Sequence, residues 1–105
     1  MVEYNESNMQ KALVTLAIEQ ALIEFNNAAY EIVISKLLSD FGCYLSDCYK
    51  NPGYLKKALF DIYGDSYIDV VELIKQHLGE YATRKDISKF LYKLVDKKVN
   101  TKQKW

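Results

Sequence analysis

The residues able to do chemistry in this chain are few: Cys43, Cys48, a lone histidine at His77, and the acidic trio Asp61, Asp65 and Asp69. A Cys-x4-Cys pair could supply half of a zinc site, but zinc takes four ligands, and one histidine without a second cysteine pair does not complete the set. Two cysteines are also too few for the disulfide framework of a small secreted scaffold. They are read as free thiols, one or both of which behave as small buried hydrophobes. Nucleophilic catalysis needs a base beside the nucleophile and a group that orients the base. His77 is the sole imidazole, and it falls near the end of a helical segment, where a histidine ordinarily engages helix-end carbonyls. The three aspartates are spaced by four and could line one side as acid–base or cation-binding groups, although solvated carboxylates and helix caps use the same spacing. The four glycines are scattered, mostly where helices should end, so no glycine-rich phosphate loop is present. The expectation is a protein with no catalytic residue, no cofactor and no metal.

These side chains must be positioned by a scaffold of 105 residues, half of them hydrophobic and 27% charged. That length supports one small core rather than two, and the apolar content argues against global disorder. The longest apolar runs fall far short of the roughly 20 residues that span a bilayer. The stretch Met1 to Gln10 is polar and unlike a signal peptide, so the expected location is the cytoplasm.

Apolar residues recur at three and four rather than at two, which predicts helices throughout. The first runs from about Asn8 to Phe25, opened by Ser7 with Gln10 three positions on as a capping box. Val14, Ala17, Ile18, Ala21, Leu22 and Phe25 share one broad face, while Ala12, Leu13, Leu16 and Ile23 form a second stripe. Asn26 and Asn27 offer a break or a cap. Tyr30, Val33, Ile34, Leu37, Leu38 and Phe41 then give a second helix, closed by Gly42. Residues 43–50 lack a period and read as a connection anchored by Tyr44, Leu45 and Tyr49. Asn51-Pro52 is the clearest helix start in the chain. The third helix presents Leu55, Ala58, Leu59 and Ile62 before Gly64, and Asp65 or Ser66 caps a fourth carrying Tyr67, Val70, Val71, Ile74 and Leu78 up to Gly79. Thr83 with Asp86 resembles another capping box ahead of a fifth helix bearing Ile87, Phe90, Leu91, Leu94 and Val95. The tail from Asn100 to Trp105 should fray. The prediction is a single all-α domain, a compact bundle of about five helices. It divides into a first helix (1–26) serving as a dimerisation element, a central unit (27–82) and a basic C-terminal helix and tail (83–105).

Zero net charge conceals a division. Residues 1–82 hold 6 Lys/Arg against 12 Asp/Glu, and residues 83–105 hold 8 against 2. A solvated helix face explains this, but Lys89, Lys93, Lys97 and Lys98 could also contact an anionic partner, including nucleic acid or the chain's own acidic body. Base-specific readout leans on arginine, and Arg84 is the only one, so sequence-specific DNA binding is disfavoured. Tyr44, Tyr49, Tyr54, Tyr63 and Tyr67 concentrate around the third helix. They can form a core rim or an aromatic-lined pocket for an apolar ligand or partner helix.

From Tyr30 to Gly79 the chain shows a helix ending in Leu37-Leu38-Ser39-Asp40-Phe41-Gly42, then Leu45-Ser46-Asp47, Asn51-Pro52, Leu55 with Ala58-Leu59, the Tyr63-Gly64 stop and a terminal apolar helix. This stretch resembles a small helical output-domain family of ammonia-oxidising archaea. The resemblance covers about half of the chain and implies a module that is fused to, or works beside, sensory and transcriptional proteins. The two-sided first helix and the basic fifth helix lie outside it. The expected function is a non-enzymatic interaction or regulatory module that self-associates through Leu13, Leu16 and Ile23, because burying both stripes of the first helix needs more neighbours than a small monomer offers. The alternatives are a nucleic-acid-binding regulator using the C-terminal helix and a ligand-binding domain with a tyrosine-lined pocket. No membrane association is expected.

Overall fold

A computed structural model describes residues 6–95, which form five α-helices joined by short turns, three of them 3-10 helical. They are α1 (Glu6–Phe25), α2 (Ala29–Phe41), α3 (Pro52–Tyr63), α4 (Tyr67–Leu78) and α5 (Lys85–Val95). Among the described residues there is no β-strand, and no helix is long and apolar enough to cross a membrane.

The periodic faces fold inward. Val14, Ile18 and Leu22 of α1, Val33 and Leu37 of α2, Leu55 and Leu59 of α3, Val70 and Ile74 of α4, and Ile87 and Leu94 of α5 belong to one buried cluster. The most extensive helix pairing is between α1 and α4, and α4 also packs on α5. Polar groups drawn into this interior are satisfied. The Tyr67 hydroxyl donates to the Leu94 carbonyl at 3.0 Å, and the Tyr49 hydroxyl donates to Oε1 of Gln10 at 2.9 Å. Each bond ties together segments far apart in sequence, and a buried acceptor left without its donor costs about 1–3 kcal/mol.

Helix ends follow local chemistry, with several departures from expectation. Gly42 closes α2 at φ 62°, ψ 31°, a left-handed conformation that a Cβ would strain. Its N–H donates to Leu38 O (3.0 Å) and that of Cys43 to Leu37 O (3.4 Å), satisfying carbonyls at the helix end. Between α1 and α2, Oδ1 of Asn26 accepts from Ala28 N–H at 2.9 Å, so Asn26 makes the break. Pro52 opens α3 as expected, but the Asn51 side chain does not cap it; its amide donates backward to the Asp47 carbonyl at 3.1 Å. The supposed capping box before α5 is absent as well. The Thr83 hydroxyl donates to Glu80 O at 2.9 Å, and α5 begins two residues later. At the other end α1 already includes Ser7, since it starts at Glu6. Residues 96–105, including the tail from Asn100, lie outside the described residues.

The connection over 43–50 is structured. Leu45–Tyr49 is a 3-10 helix started by a reciprocal pair, Tyr44 N–H to Asp47 Oδ2 at 2.8 Å and Asp47 N–H to Tyr44 O at 3.0 Å. Leu45 anchors it inward as anticipated and Tyr49 is half-buried, but Tyr44 points to solvent with 65% of its surface exposed. Cys48, fully buried, supplies the second inward anchor in its place.

Candidate interaction surface

Because α4 takes the inner face of α1, the second apolar stripe is left on the outside. Val14, Ile18 and Leu22 are 0% exposed, whereas Met9, Leu16 and Ile23 are 41%, 52% and 43% exposed. Leu13 is half-buried beside them, and Gln20 is exposed. Met9, Leu13, Leu16, Gln20 and Ile23 follow one another at steps of four, three, four and three. That is the spacing of a coiled-coil seam, and it keeps the side chains on one line along the helix. Apolar residues on opposite sides cancel, so α1 has almost no net amphipathic direction.

The ridge at Leu16 has a groove on each flank. One of about 410 Å³ is lined by Asn8, Lys11, Ala12, Thr15, Glu19 and Ser46, with Ala12 leaving room beside the ridge. The other, about 200 Å³, lies between α1 and the end of α4, among Leu13, Ala17, Gln20, His77, Leu78 and Tyr81. Nε2 of His77 sits 2.7 Å from Oε1 of Glu24, joining the ends of α4 and α1. The partner of His77 is therefore a carboxylate of α1, in place of the anticipated helix-end carbonyls. Among the described residues no hydroxyl or thiol is hydrogen-bonded to it. Tyr81 closes the groove, with the Arg84 guanidinium 5.6 Å from its ring centre.

The basic surface is separate. Lys85, Lys89 and Lys93 project from α5 at steps of four beside Tyr92, which is 53% exposed, and none of the three lysines forms an ion pair with a described residue. Pairing of these lysines with the acidic body is thus not seen. Lys97 and Lys98 lie outside the described residues.

Four of the five tyrosines each meet a different aromatic ring. Tyr54 stacks on Phe41 at 4.5 Å between ring centres, Tyr63 meets Phe25 edge-on at 5.0 Å, Tyr67 meets Phe60 at 6.0 Å and Tyr49 lies 5.9 Å from Phe90. Neither these four nor the exposed Tyr44 lines either groove beside α1 or the α4–α5 groove. Burial pushes the Tyr63 and Tyr67 hydroxyls up from the ordinary phenol range, with Asp65 adding to the effect at Tyr67.

The aspartates are dispersed too. Asp61 is bound by Lys57 at 2.9 Å and approached by Lys36 at 3.7 Å, and these ammonium groups, Lys57 foremost, hold its carboxyl below the usual range. The turn Gly64–Ser66 interrupts the helix between Asp61 and Asp69, so spacing by four does not place the trio on one helical face. Among the described residues no three His, Cys, Asp or Glu side chains cluster to hold a metal.

The sequence pattern finds Leu13, Leu16 and Ile23 but misses Met9, Gln20 and Tyr81. Steps of four and three carried through a polar position would have found the first two. Comparison with family models, curated proteins and solved structures returned no match for this chain.

Proposed function

We propose that this protein is a non-enzymatic helical interaction module that self-associates by laying the outer faces of α1 from two copies against each other. The supporting observation is the outward stripe Met9, Leu13, Leu16, Gln20, Ile23, set along a helix whose opposite side is fully committed to the core. A ridge flanked by two grooves is suited to receive its own counterpart, which is what a two-fold interface requires, since the same patch serves both partners. Leu16 and Ile23 supply apolar area at about 25 cal/mol per Å² removed from water. Gln20, polar within the seam, is the kind of residue that selects register at some cost in stability. The resemblance of Tyr30–Gly79 to output domains, a stretch that forms α2 to α4, supports placing the dimer beside sensory or transcriptional proteins.

Light scattering or sedimentation tests the proposal. The chain should run at twice its monomer mass, and Leu16→Glu should run as a folded monomer with unchanged helical circular dichroism. A wild-type monomer across the micromolar range overturns it.

A second reading is favoured by one observation, the row Lys85, Lys89 and Lys93 beside exposed Tyr92. Lysines that pair with no described residue, next to an aromatic ring, suit a phosphate backbone with a stacked base. Electrophoretic shifts with single-stranded RNA and DNA at low salt should then show binding that Lys89→Glu with Lys93→Glu abolishes.

A further inference from the structure

The two cysteines play no part in the interface proposed above. They are the chain's only thiols, both free and both buried, on either side of the start of the 45–49 turn. The 3-10 coil folds residue 48 back over residue 44, so Cys48 Sγ lies 3.9 Å from the carbonyl oxygen of Tyr44, the residue next to Cys43. Each thiol influences the other's proton, and both sit in the same buried cluster. From this juxtaposition we infer that Cys43 and Cys48 are a site of reversible covalent modification, closing to an intrachain disulfide when the protein meets a hydroperoxide.

The roles differ because the surroundings differ. Cys43 is 7% exposed, at the edge of the core beside solvent-facing Gly42 and Tyr44, whereas Cys48 is 0% exposed. Cys43 is the sulfur a small peroxide reaches first. Its thiolate, having released a proton to water, attacks one peroxide oxygen. The O–O bond breaks, the departing oxygen takes up a proton as water or alcohol, and Cys43 becomes a sulfenic acid. Cys48 then attacks that sulfur. The S–S bond forms, the S–O bond breaks, and the hydroxyl leaves as water with the proton from Cys48. Two thiols and one hydroperoxide thus give one disulfide, one water, and one alcohol or second water. A dithiol reductant reverses the change and is itself oxidised to a disulfide.

Burial raises both thiols, Cys48 to about 12, so the resting state is the protonated pair. Few thiolates are then available to stray alkylating agents, and the first step is slow near neutrality and faster as pH rises. The second step is intramolecular, between two residues held by the same short turn.

The test treats the reduced, folded full chain with hydrogen peroxide, removes the peroxide, labels the remaining thiols with N-ethylmaleimide in denaturant and digests with trypsin. Cleavage after Lys36 and Lys50 leaves both cysteines in one peptide, Leu37 to Lys50. The expected product is that peptide lighter by two hydrogens and free of maleimide, formed with helical circular dichroism intact and returned to two adducts by dithiothreitol. Cys48→Ser should stop at a sulfenic acid trapped by dimedone. Two maleimide adducts after peroxide, cross-links between chains, or closure only in denaturant would each overturn the inference.

Discussion

Helices α1 and α5 pose opposite answers to the same physical problem. Helix α5 gathers Ile87, Phe90, Leu91 and Leu94 on its inner side and turns Lys85, Lys89 and Lys93 outward, so its amphipathic direction is strong and its apolar content is used up within the chain. Helix α1 carries apolar residues on both sides, and among the described residues only the inner side is fully buried. Amphipathic strength shows how well a helix is served by its own domain. A helix with none, yet rich in Leu, Ile and Val, has a face left over for something else. On the proposal made above, the outer faces of α1 and α5 would take different partners, one apolar and one anionic.

The largest separation should come from substitutions on the two sides of α1. Ile18→Ala, at a fully buried site, should cost about 2–5 kcal/mol in urea unfolding measured in a Leu16→Glu background, where association no longer contributes. Ala12→Ser, on the outer side, should cost less than about 0.5 kcal/mol under the same conditions. Equal costs would show that α1 has no inner and outer side in solution.

The next effect reports on the turn packed behind α1. Burial above all pushes the Cys48 thiol up to about 12 from an ordinary value of about 9, so the folded state holds that proton more tightly than the unfolded chain. The resulting stability is complete below the unfolded value and is lost as pH rises toward the folded one. Unfolding free energy should therefore fall between about pH 9 and 12, by at most about 4 kcal/mol from this group. Cys48→Ala should flatten the profile in part, the remaining slope belonging to Cys43, Tyr63 and Tyr67, which burial raises in the same direction.

The smallest effect on stability is expected on α5. Lys89→Glu and Lys93→Glu lie on an exposed face and should change the unfolding free energy by no more than about 0.5 kcal/mol each. If α5 tracks a phosphate backbone, neutralising each lysine with Gln should reduce the salt slope of binding by about 0.7 to 0.9. An unchanged slope would leave α5 as a solvated face.

How much of this was legible in the sequence depends on the length over which each signal repeats. The inner faces of α1 to α5 span several turns, and Gly42 and Pro52 are decisive single residues, so the helical scaffold follows from pattern. The turn Leu45–Tyr49 is too short to show a period, which hid the outward Tyr44. Side-chain hydrogen bonds were the least readable. Thr83 and Asn51 have the chemistry of helix caps, yet each bonds to a carbonyl behind it, because the preceding 3-10 turn presents one within reach. At the candidate site, Leu13, Leu16 and Ile23 stand out by hydrophobicity, while Gln20 is visible only through its register. Tyr81 comes from a distant part of the chain that the fold brings alongside α1.

The central claim is that the outer stripe of α1 is covered by a second copy of this chain. Its most direct test is the molar mass in solution as a function of concentration, for the wild type and Leu16→Glu together. The account predicts a wild type that reaches twice the monomer mass within the micromolar range and a folded variant that stays at the monomer mass throughout. A wild type at the monomer mass at every concentration, or a Leu16→Glu chain that still doubles, would contradict it.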